Sequence, residues 1–178
     1  MEAYGGETTD LDGEGRSSDL MSSMGSLKAD DSASFLANKM ANECKIAAEE
    51  AWQALCRLSN EHLAEVCEMI EPPTPIFAVG RMITLFLYPH VRPEDTSWDD
   101  VRDVLQDDLL TILANIEINE VTDDRPILHL KNYLNRTDLP FEIVCKAGLV
   151  PECLYMWAFS AVRYVRAGCM KFILFKHN

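Results

Sequence analysis

Six cysteines and four histidines are the residues of this 178-residue chain whose types could ligate a metal, form disulfides or pair as nucleophile and base. Their spacing favours none of these. Cys44, Cys56, Cys67, Cys145, Cys153 and Cys169 form no C-x-x-C pair, and His62, His90, His129 and His177 are scattered without ligand spacing. Most of the cysteines fall at apolar helical positions, and no secretion or transit pattern opens the chain, so reduced structural thiols are expected. A catalytic Cys–His pair stays open on sequence alone, with nothing favouring it. Phosphate-binding glycine loops, the nucleophile elbow and the zinc helix motif do not occur. The expectation is a non-enzyme with no catalytic residue, no cofactor and no metal.

What remains is the chemistry of charge. The chain carries a formal net charge of −13. Residues 1–34 hold eight acids against two bases among mostly Gly and Ser, so they bury too little apolar surface to offset ordering and read as a disordered acidic tail. Residues 72–160 carry fourteen acids and seven bases. After Glu152 no acid remains, and Arg163, Arg166, Lys171 and Lys176 follow. No apolar run reaches membrane-spanning length, because Arg81 and Arg163 interrupt the two longest. A soluble cytoplasmic protein is expected, with no nucleic-acid partner. The basic apolar stretch 162–177 is read as packing against another helix rather than as a membrane anchor.

These charges must be positioned by helices. Residues 35–70 lack proline and glycine and are rich in helix formers, so a single continuous helix is expected there, capped by Asp31 or Ser32. It carries a small-residue seam, Ala37, Ala41, Cys44, Ala48, Ala51, Leu55 and Leu58. A second seam, Trp52, Cys56, Leu63, Val66 and Ile70, implies either a broad apolar stripe or a helix able to slide between two registers. Pro72, Pro73 and Pro75 then end it and turn a corner. Short helices follow: one from Ile76 to Tyr88, one capped by Thr96 or Ser97 and carrying Trp98, one near Leu109, one from Pro126, and a short turn at 141–146. The segment from Cys153 is expected to run back antiparallel to the first helix. No period-two alternation persists long enough for a strand.

The expected fold is therefore all-α: an antiparallel, coiled-coil-like stem carrying a small helical bundle as its head. Its parts are stem helix 1 at 35–71, a head at 72–152, and a last head helix at 153–178 that continues into stem helix 2. Trp98 and Trp157 are expected to be buried. The returning helix is expected to stop short of residues 35–50, leaving that seam, with Cys44 on it, for self-pairing with a second copy.

The ordered marks Pro72–Pro73, Trp98, Tyr133, Phe141 with Val144 and Ala147, then Leu154, Trp157, Ala161 and Tyr164 resemble the stalk tip of dynein heavy chains. The resemblance covers roughly residues 55–170. It implies a microtubule-binding module on a coiled coil, without the motor's ATPase ring. Of that family's positive charges Lys146 is kept, while Phe77, Gln106 and Met156 occupy other basic positions. The partner implied is the microtubule (tubulin) or a microtubule-associated or axonemal protein, met through Lys146 with Arg81 and Arg136 behind it. The location implied is the cytoskeleton, including a cilium or flagellum. The competing expectation is a non-motor coiled-coil scaffold or adaptor that has lost tubulin binding.

Overall fold

The computed structural model describes residues 18–106, 108–116 and 124–168, with side chains from residue 32 onwards. Every regular element among them is helical: α1 Ser18–Cys56, α2 Asn60–Cys67, α3 Thr74–Leu87, a 3-10 turn Pro93–Asp95, α4 Trp98–Gln106, α5 Leu109–Asn115, α6 Arg125–Leu134, α7 Phe141–Ala147 and α8 Leu149–Arg166. The chain divides into two units, Met1–Asn38 and Lys39–Asn178. In the first, α1 begins at Ser18, inside the stretch expected to lack structure, and Phe35 and Leu36 are exposed.

The second unit holds the core. Its centre is α3, which packs against α4, α6, α7 and α8. The sequence TPIFAVGRMITLFL explains that place: apolar side chains go all round the helix, so it must be surrounded. Val79, Met82, Ile83 and Leu85 are fully buried, and Trp157 of α8 stands edge-on to Phe86 with ring centroids 5.3 Å apart. Buried Thr84 is satisfied by donating its hydroxyl to the Gly80 carbonyl.

The expected continuous helix over 35–70 is corrected by a break at 57–59. Ser59 caps α2: its Oγ accepts from the His62 amide, and His62 Nδ1 accepts the Ser59 N–H. Two of α2's orphan donors are thereby satisfied, which favours a new helix start over a continuation. α2 packs on α4 and α8, so the bundle begins at Asn60 rather than at 72. Sliding between registers loses its basis too. Trp52 and Cys56 of the second seam face solvent, while Leu63 and Val66 belong to a different helix.

Within the second unit α1 and α8 run antiparallel. Glu43 and Glu50 both pair with Arg163, and Arg57 pairs with Glu152 further along. Ala47, Ala48, Ala51 and Ala54 are buried, and their small side chains permit close approach of two helices. The returning helix therefore reaches further than expected. Cys44 is buried, with its Sγ 4.0 Å from the carbonyl oxygens of Tyr164 and Ala167. It is disulfide-bonded, against the expectation of reduced thiols throughout, whereas Cys56, Cys67, Cys145 and Cys153 are free. Of the seam offered to a second copy, only Ala37 and Ala41 stay exposed.

Three further differences are local. α8 starts at Leu149, ahead of Pro151, which a first helical turn tolerates because its missing N–H has no partner there. The turn expected at 141–146 is the helix α7. Trp98 is half-buried rather than buried. The part of the return segment beyond Gly168, with Cys169, Lys171, Lys176 and His177, lies outside the described residues, as do residues 1–17.

Candidate partner-binding surface

The three cations expected to meet a partner have different settings. Arg81 projects from α3 towards the loop before α4, where it donates to the Thr96 carbonyl oxygen at 3.2 Å. Its guanidinium lies 4.3 Å from the centroid of the Phe77 ring, one turn earlier on the same helix. Phe77 in turn packs edge-on against Trp98. Arg81 is thus a half-buried strut joining α3 to α4, and its spacing of four from Phe77 was the signal for that role.

Arg136 lies in the turn between α6 and α7 and forms a fork with Asp138, Nε to Oδ1 at 3.0 Å and Nη2 to Oδ2 at 2.6 Å. The bidentate pair holds the Asp138 carboxyl below the ordinary aspartate range and raises the Arg136 guanidinium. Much of the charge Arg136 would offer is offset locally. The R-x-D sequence at 136–138 carried that signal.

Lys146 is different. It sits in the last turn of α7, is exposed, and has no ion-pair partner among the described residues. Val144 turns inward and is fully buried, which fixes the helix rotation and leaves Phe141, Glu142, Ile143 and Lys146 outward. Cations near a helix C-terminus are favoured by the macrodipole, so this position costs the fold little.

The remaining candidate chemistry is weaker. Burial raises the Cys67 and Cys153 thiols, and desolvation followed by neighbouring carboxylates raises Cys145, so none is poised as a thiolate. His62 is engaged in the α2 cap, and His90 Nδ1 lies 3.1 Å from Arg125. Among the described residues no group of three or more His, Cys, Asp or Glu could hold a metal ion. No helix among them is long and apolar enough to cross a membrane.

Sequence reasoning missed Arg163, whose two carboxylate partners clamp α8 to α1. Nothing local marks it, because Glu43 and Glu50 are more than a hundred residues away. A comparison of the chain with protein-family models finds no match.

Proposed function

We propose that this chain is a cytoskeletal binding module of the dynein stalk-tip kind, contacting microtubules or an axonemal assembly through the exposed end of α7 and having no ATPase of its own. One observation carries this reading: α8 returns antiparallel along α1, with the short helices α2–α7 inserted between them in sequence. Such an arrangement suits a bundle borne on two helices. The family-like marks also fall at structurally meaningful points. Pro73 caps α3, Trp98 opens α4, Phe141 opens α7 and Trp157 lies at the centre of the core. Lys146, the family-like charge, remains exposed.

The second reading, a non-motor scaffold or adaptor, is favoured by the engagement of Arg81 and Arg136 within the fold. With fourteen acids against seven bases over 72–160, one exposed lysine offers limited attraction to an acidic filament. Co-pelleting of the full chain with polymerised microtubules at low and moderate salt separates the two. Saturable pelleting that weakens with salt supports the binding module. Absence of pelleting at low salt overturns it and leaves the scaffold.

A further inference from the structure

A cleft of about 260 Å3 lies between α6 and α8, closed at one side by the start of α7. Met156, Phe159 and Val162 of α8 line it from one side, and Phe141 reaches in from α7. Phe141 and Phe159 are 38% and 43% exposed, although they come from different helices and converge on one hollow. Convergent, half-exposed aromatics at a concave site are the usual anchors of a protein partner.

The charge around the cleft is opposite to that of the chain. Its lining includes the cations Lys131 and Arg166 and no carboxylate, in a protein of net charge −13. Arg163, one turn before Arg166, is engaged with Glu43 and Glu50, so the exposed Arg166 carries the charge of that rim. A cleft of this volume is below the roughly 300–1,000 Å3 typical of sites for whole small molecules. It suits one or two apolar side chains presented by a peptide.

We propose that this cleft docks an acidic segment of a partner protein, its carboxylates meeting Arg166 and Lys131 and one apolar side chain entering between Phe141 and Phe159. Lys146, at the other end of α7, does not line the cleft, so the inference goes beyond the microtubule reading and does not rest on it.

The test is fluorescence anisotropy of the full chain with a short labelled peptide of glutamates around a central Phe-Leu pair. Saturable binding is expected, weakening as salt rises because the rim charges are exposed. Arg166→Glu and Phe159→Ala should each weaken it roughly tenfold or more. Both residues are substantially exposed, so the melting temperature should hold; should Phe159→Ala unfold, Arg166→Gln and a peptide with Phe and Leu replaced by Ser test the same two contacts. Equal binding of the Gln-for-Glu peptide, or unchanged affinity in the Arg166 variants, would overturn the proposal. Binding that emerges only after residues 1–17 are removed would overturn it too, because the chain's own acidic segment would then be the occupant.

Discussion

The indole Nε1 of Trp98 donates to the carbonyl oxygen of Met69 at 2.8 Å, tying the first residue of α4 to the segment just before the proline corner. Prolines can end a helix but cannot hold the next one in place; this bond, with Phe77 edge-on to the same ring and Arg81 over Phe77, supplies the restraint. Trp98→Phe keeps the apolar body and removes the donor. It should destabilise the fold by about 1 kcal/mol, the net worth of one such bond, in urea or thermal melts. An unchanged midpoint would mean that the corner is held by other contacts.

Trp157 is fully buried and lies against Phe86 at the centre of the bundle. Its replacement by alanine should cost about 3–5 kcal/mol, the range for large-to-small aromatic changes in a core. A loss much below that would show that the site collapses readily around the missing ring.

Gly80 marks the closest approach of α3 to α4. A Cβ built there would overlap Val101 Cγ1, and Val101 is itself fully buried with nowhere to retreat. Gly80→Ala should therefore destabilise by about 1–3 kcal/mol despite alanine's better helix propensity. Pairing it with Val101→Ala should recover part of the loss, which a double-mutant cycle measures.

Ser97 and Asp100 cap α4 reciprocally: the Asp100 amide donates to Ser97 Oγ, and Asp100 Oδ2 accepts the Ser97 amide at 2.7 Å and its hydroxyl at 2.6 Å. The Ser97 hydroxyl, then its amide, holds the Asp100 carboxyl below its ordinary range. A folded pKa below the unfolded one gives stability that is present above the unfolded aspartate range and is lost as pH falls through the folded value. Wild type should therefore lose stability relative to Asp100→Asn across the acid limb below about pH 4. Parallel pH–stability curves for the two proteins would remove this cap from the account.

Lys146→Glu should weaken microtubule co-pelleting, and the loss should shrink as salt rises, because screening already weakens the wild-type contact. Arg136→Gln should do less, since Asp138 already offsets that charge. If Arg136→Gln did more than Lys146→Glu, binding would use the α6–α7 turn instead of the end of α7.

Much of this molecule is set by interactions spanning four residues or fewer, and such features were legible in the chain. Pro72, Pro73 and Pro75 break the helix and leave α3 to begin at Thr74, Ser97 with Asp100 starts α4, and the absence of period-two patterning leaves an all-helical fold. The break at 57–59 was local as well, in the Ser59–His62 cap, but strong helix propensity on both sides obscured it. Tertiary structure decided which faces meet, because burial depends on residues distant in sequence. Cys44 and the alanines after it looked free for a second copy until α8 covered them, and Arg163 found its carboxylates only across that pairing. The same holds for the cations. Arg81 became a strut because Thr96 and Phe77 are within its reach, whereas Lys146 stays exposed because Val144 turned the opposite face of α7 into the core.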